Sequence, residues 1–160
     1  MCIGRMTITC NIQCNRGQHL RDTFTGQQHR FYLAARAEPA AVPHARRRVR
    51  HTLATWRLDH LADDTELVVS ELLTNAVRAA AHEAAPVALY LALDLDRLFV
   101  LVWDCCPAPP VLRSPAGAEA ESGRGLGIVQ AISDRWGTCT PAEGGKVVWA
   151  QLSVTRREAP

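Results

Sequence analysis

The chain has 160 residues, of which 48% are hydrophobic and 21% charged, and its formal net charge is +2. This composition is typical of one globular domain, and it excludes a disordered chain and a strongly electrostatic nucleic-acid binder. The longest apolar runs are far shorter than the roughly 20 residues that cross a bilayer, and the N-terminus has no apolar core of signal-peptide length. We therefore expect a cytoplasmic protein that binds neither nucleic acid nor membrane directly.

Residues 1–28 show no sustained hydrophobic period, which predicts an N-terminal extension that is disordered or loosely docked. Cys10, Cys14 and His19 lie in it, and together with His29 they have the residue types of a metal site. No Cys-x-x-Cys pair occurs, so the spacing matches no strong zinc pattern and we favour an arm without metal. The six cysteines are expected to be reduced, as in other cytoplasmic chains.

The globular domain is predicted to span residues 29–155, and residues 156–160 are predicted to form a C-terminal tail. A short strand is indicated around Phe31–Leu33, and residues 40–56 have apolar side chains at helical spacing. Four arginines cover much of the remaining helix surface: Arg46, Arg47, Arg48 and Arg50. This cluster is a candidate docking surface or, equally, a solvated helix face.

A second helix is predicted from about Asp64 to His82, with Asp63 and Glu66 as a capping box at its start. One face of this helix carries polar residues in steps of four, three and four, namely Glu71, Asn75, Arg78 and His82. A carboxylate can accept a proton from an attacking hydroxyl, and an amide oxygen is a suitable ligand for Mg²⁺. The alternative is a solvated face with a Glu71–Arg78 ion pair.

The sequence pattern of the rest of the chain predicts two hairpins, which are separated by a long loop and a third helix. Residues 87–93 and 98–103 form the first hairpin, and Asp104 follows its second strand. Residues 105–124 are rich in proline and glycine, and loops this long inside a domain are usually functional lids or disordered. A helix over 125–135 and a hairpin over 136–154 complete the predicted order.

Two features of this second half suit a nucleotide. Asp104 can accept a hydrogen bond from an exocyclic amine such as that of adenine, although for this residue taken alone an Asx turn is the favoured interpretation. The run Gly123-Arg124-Gly125-Leu126-Gly127 opens a helix, where backbone N–H groups and the helix dipole favour phosphate. Its spacing is neither the dinucleotide-binding fingerprint nor a Walker motif.

Taken in chain order, these motifs resemble those of the GHKL (histidine-kinase-like) ATPase superfamily. The likeness is greatest to bacterial anti-sigma-factor serine-protein kinases and their stand-alone ATP-binding relatives. It covers about residues 31–152, and its most specific stretches are 63–76 and 123–129. The resemblance implies an α/β (α+β) two-layer sandwich of the Bergerat type, in which about three helices cover one face of a mixed, mostly antiparallel sheet.

The resemblance also implies roles for individual residues. Glu71 matches the catalytic carboxylate, Asn75 the Mg²⁺ ligand and Asp104 the residue that binds the adenine amino group. Residues 105–122 match the ATP lid. The remaining cofactor-binding candidates belong to the phosphate turn or lie near it: Gly123, Arg124, Gly125, Leu126, Gly127 and Arg78. The two arginines are assigned from position alone.

Two departures from the family pattern concern the adenine site. The superfamily sequence Asp-x-Gly-x-Gly is Asp104-Cys105-Cys106-Pro107-Ala108 here, so both glycines are missing. Val147 stands where many members carry a threonine near the adenine-site aspartate, which removes a hydrogen bond of about 1 kcal/mol.

The resemblance implies an anti-sigma-factor serine-protein kinase that uses ATP and Mg²⁺. Its expected partners are a sigma factor and an anti-anti-sigma protein with a phosphorylatable serine, and a homodimer is possible. The alternative is a nucleotide-gated protein-binding module with little or no kinase activity, which the altered adenine box favours.

Overall fold

The structure, a computed structural model, describes residues 12–14, 19–20, 27–81, 85–110, 125–142 and 144–155. The described strands are β1 (Ile12–Cys14), β2 (His19–Leu20), β3 (Gln27–Arg36), β4 (Pro86–Asp94), β5 (Arg97–Asp104), β6 (Arg135–Cys139) and β7 (Lys146–Ser153). The described α-helices are α1 (Ala41–Thr55), α2 (Ala62–Ala80) and α3 (Gly125–Ile132), with a short 3₁₀ turn at Asp59–Leu61 before α2.

The strands form one sheet in the order β2-β1-β6-β7-β5-β4-β3, and every pairing among the described strands is antiparallel. Strands β4 and β5 form the first predicted hairpin, and β6 and β7 form the second. Strands β1 and β2 lie within the predicted extension 1–28 and pair at the β6 edge of the sheet. The division of the chain at residues 28 and 155 stays a prediction.

The helices cover one face of the sheet, so the predicted two-layer sandwich is confirmed. Because successive side chains of a strand point to opposite faces, Val100 and Val102 belong to the core beneath the helices. Phe99 and Leu101 belong to a smaller cluster on the other face. The helices contribute Val49, Leu53, Val69 and Leu72 to the main core, all at most 2% exposed.

The predicted first helix and first strand are both confirmed. Helix α1 spans all but the ends of residues 40–56, whereas β3 is longer than Phe31–Leu33 because it pairs along nearly all of β4. The third helix is shorter than predicted and ends at Ile132. Its end is fixed by Ser133, whose backbone N–H and hydroxyl both donate to Val129 O. Asp134 N then donates to Gln151 O and begins the β6–β7 pairing.

The predicted capping box at the start of α2 is wrong. The helix begins at Ala62, and no side chain caps its first turn. Packing of α1 against α2 directs the buried Glu66 side chain toward Arg46 and Arg50, and its Oε2 accepts from Arg46 Nε at 3.3 Å. Arg50 also donates to Asp63 Oδ1 at 2.7 Å.

These contacts divide the predicted arginine cluster. Hydrogen bonds to Asp63, and then to Glu66, raise the pKa of Arg50, so its charge serves the contact between α1 and α2. Arg46 shares Glu66 with it. Arg47 and Arg48 are exposed as well, and neither of them binds Glu66.

Candidate functional site

Helix α2 positions Glu71 and Asn75 at the border of the core. Leu72, Leu73 and Ala76 are buried and face the main core. Glu71 and Asn75 lie one helical turn apart beside that apolar stripe, and both are half-buried. The stripe fixes the rotation of the helix and thereby places both polar side chains at its flank.

A cavity of about 230 Å³ opens between α2, the start of α3, the first residue of β7 and the segment after β5. Its lining residues are Asn75, Ala79, Cys106, Ala108, Pro109, Pro110, Gly125, Leu126 and Lys146. The space between the second helix and the glycine turn is therefore open and is not filled by core side chains.

Gly125 packs directly against Glu71. A Cβ atom at this position would collide with Glu71 Oε2. The predicted catalytic carboxylate and the first residue of α3 are thus in contact, and a larger residue at position 125 would displace the carboxylate. The contact joins two of the predicted motifs across the edge of the cavity.

Gly127 lies in the first turn of α3 and is exposed. A Cβ atom there would meet no heavy atom within 4 Å. Glycine costs about 0.5–1 kcal/mol relative to alanine in a helix, and no packing contact among the described residues requires it. This open surface suits close approach of a ligand to the backbone.

Asp104 is buried at the end of β5, with a side chain that is 2% exposed. Its Oδ1 accepts from the backbone N–H of Cys106 at 3.0 Å, which is the Asx turn predicted as an alternative for this residue. The same oxygen accepts from Lys146 Nζ at 2.7 Å. Neither bond uses Oδ2.

Lys146 is a residue of this region that the sequence reasoning missed. The pairing of β5 with β7 places Lys146 opposite Asp104 and Val147 opposite Trp103. Val147 therefore belongs to the cluster on the other face of the sheet, and its placement near the adenine-site aspartate is wrong. One signal was available, because Lys146 is the only lysine among the 18 Lys and Arg residues.

The loop before Lys146 is tied to the end of β5. Trp103 Nε1 donates to Gly144 O at 3.1 Å. Gly145 has a φ of +74°, and a Cβ atom there would lie 2.9 Å from Trp103 Nε1 and would also collide with Asp104 O. Only glycine fits this close approach and this backbone conformation. The start of β7 is consequently held against β5.

Of the remaining predicted site residues, one is described and does not line the cavity, and two lie outside the described residues. Arg78 is exposed on α2 and is not among the described residues that line the cavity. Gly123 and Arg124 lie outside the described residues, as does most of the predicted lid. Cys105–Pro110, at the start of that lid, are described and have no regular secondary structure.

The cysteines and the predicted metal residues give one correction. Cys139 is disulfide-bonded, so the expectation of reduced thiols is wrong there, whereas Cys105 and Cys106 are thiols outside any disulfide. Cys10 and the side chains of Cys14 and His19 lie outside the described residues. The His29 ring stacks on Trp56 with a centroid distance of 5.4 Å. The described residues contain no group of three or more His, Cys, Asp or Glu side chains that could hold a metal ion.

No helix in the described part of the chain combines the length and the apolar character needed to span a bilayer.

Comparison with known proteins agrees with this fold. Curated proteins gave no match. Among solved structures, the chain is similar to the RsbU and RsbW domains of Rv1364c from Mycobacterium tuberculosis, with 20% identity and a TM-score of 0.57. That match covers 81% of this chain and 33% of the other chain, so this chain spans about a third of the length of the protein that it matches. A family model described as a histidine kinase-like ATPase domain matches residues 35–152. The chain therefore belongs to the histidine kinase-like ATPase domain family.

Proposed function

We propose that the chain binds Mg-ATP in the cavity between α2 and α3 and transfers the terminal phosphoryl group to a serine of a partner protein. The observation that carries this proposal is that Asn75, Gly125 and Leu126, taken from two separate motifs, line one open cavity. Membership in an ATPase domain family supports the nucleotide. The motif resemblance to anti-sigma-factor kinases supports the serine acceptor.

The residues around the cavity fit a metal-bound triphosphate. The Asn75 amide oxygen is a suitable Mg²⁺ ligand, and this ion keeps several water ligands, so one protein oxygen is sufficient. Bound Mg²⁺ would neutralise part of the phosphate charge. The N-terminus of α3, with Gly125, Leu126 and Gly127, has the backbone donors and dipole that favour phosphate. Gly123, Arg124 and Arg78 are proposed to add contacts from the neighbouring turn and helix.

Glu71 is the proposed general base. Its contact with Gly125 holds the carboxylate next to the start of α3, where phosphate is proposed to bind. Glu71 accepts the proton of the serine hydroxyl as the serine oxygen bonds to the terminal phosphorus and ADP leaves. Proton transfer of this kind contributes about 10²–10⁴-fold to rate. Residues 105–122, the proposed lid, would exclude competing water.

A second candidate is a nucleotide-gated protein-binding module without kinase activity. Two observations favour it. Cys105 and Cys106 follow Asp104 in place of the family's glycine-containing sequence, and Lys146 already binds the aspartate proposed to contact adenine. Both changes affect nucleotide binding and leave the Glu71 position intact.

The proposed partners are a sigma factor and an anti-anti-sigma protein, with action in the cytoplasm and a possible homodimer. The exposed Arg47 and Arg48 side chains are the proposed docking surface on α1, because Arg46 and Arg50 are engaged with Glu66. An exposed basic pair suits an acidic partner surface and would mainly raise the association rate.

The first test is a calorimetric titration of the protein with Mg-ATP, repeated on Asn75→Ala and Asp104→Asn. Each variant is expected to lose at least tenfold in affinity, since each removes a charge-assisted or metal contact of about 1.5–3 kcal/mol. Arg47→Ala is the matched control and should bind like the wild-type protein. Unchanged binding in both site variants would exclude this cavity as the nucleotide site.

The second test separates the two candidate functions. The protein is incubated with radiolabelled ATP and a candidate anti-anti-sigma protein, with the serine-to-alanine variant of that partner as control. Label on the wild-type partner alone supports the kinase, and its loss in Glu71→Gln supports the proposed base. Nucleotide binding without labelling of any candidate would select the binding module.

A further inference from the structure

We propose that Lys146 contacts the base of the nucleotide and, with Asp104, selects a 6-aminopurine. The inference rests on the proposed nucleotide site and names a residue that determines specificity within it. Asp104 Oδ2 accepts from the exocyclic amine, and the Lys146 ammonium donates to a ring nitrogen beside that amine, N1 or N7.

The hydrogen bonds of Lys146 leave one donor for a ligand. An ammonium group has three N–H donors. One binds Asp104 Oδ1 at 2.7 Å, and a second binds the carbonyl oxygen of Cys106 at 3.0 Å. The side chain is only 9% exposed, yet it lines the cavity. The third N–H bonds to no described residue, and the proposal directs it to the nucleotide in the cavity.

Asp104 supplies the matching acceptor. Both of its bonds from described residues end on Oδ1, which leaves Oδ2 for a donor. In the proposed pose, Asp104 Oδ2 is the acceptor and the third Lys146 N–H is the donor, side by side. Adenine presents the complementary pair, an amine donor beside a ring-nitrogen acceptor.

The pair is held in place before any ligand binds. Lys146 follows Gly145, which packs against Asp104 and Trp103, and Trp103 Nε1 tethers Gly144. The β5–β7 pairing fixes Asp104 and Lys146 as direct neighbours. A contact group that is already positioned loses little conformational entropy when the ligand binds.

The same arrangement disfavours a 6-oxopurine bound in the same pose. In either pose its carbonyl oxygen would face the Asp104 carboxylate, so two acceptors would meet and a buried polar group would be left unpaired, which costs affinity. If Lys146 contacts N1, the protonated N1 of the 6-oxopurine would also face the ammonium, whereas N7 remains an acceptor in both purines. The ion pair is accordingly expected to favour ATP over GTP.

The test measures binding of the magnesium complexes of ATP, 1-deaza-ATP, 7-deaza-ATP and GTP to the full chain and to Lys146→Met. In the wild-type protein, GTP and one of the two deaza analogues are expected to bind about tenfold more weakly than ATP. This factor corresponds to the loss of one hydrogen bond to a charged group. In Lys146→Met, the deaza analogue should bind as ATP does. A merely structural role for Lys146 would weaken all the nucleotides alike.

If Lys146→Met does not fold, as judged by circular dichroism, Lys146→Gln replaces it, because glutamine keeps an N–H donor toward Asp104. The inference alone would be overturned if ATP binds tightly but each deaza analogue loses the same affinity, relative to ATP, in the wild-type protein and in the Lys146 variant. Equal binding of ATP and both deaza analogues to the wild-type protein would overturn it too. Failure of the wild-type protein to bind any of the four nucleotides would overturn the proposed function and the inference with it.

Discussion

Glu66 and Asp104 are both buried carboxylates that bind basic side chains, but their surroundings differ. Glu66, on α2, is 8% exposed and binds two arginines of α1 that are each more than half exposed. Asp104, on β5, is 2% exposed and binds a lysine that is itself 9% exposed and lines a cavity. The Glu66 cluster joins two helices, and the lysine bound to Asp104 borders an open space.

This difference separates a charge pair that organises the fold from one that is available to a ligand. The arginines bound to Glu66 can turn to water if their partner is removed, because they lie at the surface. Lys146 has less access to water, since its side chain is only 9% exposed and also binds the carbonyl oxygen of Cys106. The same pair of charges therefore has a much larger effect on stability at the cavity.

The largest expected effect is that of Asp104→Ala. It leaves the Lys146 ammonium buried without a counter-ion, which should lower the free energy of unfolding by about 3–5 kcal/mol. Urea denaturation measures the change. The double variant Asp104→Ala/Lys146→Met should recover most of the loss, because it removes both charges. A single variant as stable as the wild-type protein would show that the pair is not buried in solution.

Gly125→Ala tests the contact on the other side of the cavity. The added methyl group displaces the Glu71 carboxylate, so phosphoryl transfer to the partner should fall about 10²-fold. The displaced atom is the end of a flexible side chain, so the free energy of unfolding should change by less than about 1 kcal/mol.

Gly127→Ala is the matched control for protein stability. It meets no protein atom within 4 Å and should raise the free energy of unfolding by up to about 1 kcal/mol. Equal transfer rates in Gly125→Ala and the wild-type protein would remove Glu71 from the proposed chemistry.

Glu66→Gln tests the buried carboxylate that joins α1 to α2. It replaces charge-assisted hydrogen bonds with neutral ones and should lower the free energy of unfolding by about 1–2 kcal/mol. Part of this loss should disappear at high salt, since the arginines are exposed to screening ions. Mg-ATP affinity should be unchanged in calorimetry. A large loss of affinity would mean that the Glu66 cluster is coupled to the cavity.

The smallest expected effect on stability is that of Arg47→Ala combined with Arg48→Ala. Both side chains are exposed, so the free energy of unfolding should stay within about 0.5 kcal/mol of the wild-type value. The association rate with an anti-anti-sigma partner, measured by surface plasmon resonance, should fall and lose part of its salt dependence. Arg46→Ala is the control for a paired arginine in the same helix. An unchanged rate in the double variant would exclude this docking surface.

Local patterns in the sequence were sufficient to predict the order of elements. The apolar spacing of residues 40–56 and of α2 predicted two helices, and the two apolar runs after Pro86 predicted the β4–β5 hairpin. The polar spacing of α2 also placed Glu71 and Asn75 beside each other. These features depend on residues a few positions apart, so helix and strand geometry alone relates them.

The wrong predictions involve residues far apart in the chain. Glu66 has the spacing of a capping box, but the packing of α1 on α2 decides that it binds Arg46 and Arg50. Likewise, Val147 and Lys146 differ by one position. Because a shift of one residue moves a strand's side chain to the opposite face of the sheet, only the pairing of β7 with β5 decides which of them meets Asp104.

By itself, then, the sequence determined which segments are helices and strands and which of them carry the nucleotide-site motifs, since both depend on short-range periodicity and residue chemistry. The tertiary structure decided which charged groups are paired and which border the cavity. That outcome depends on strand register and helix packing, which bring Asp104 to Lys146 and Glu71 to Gly125 across long stretches of chain.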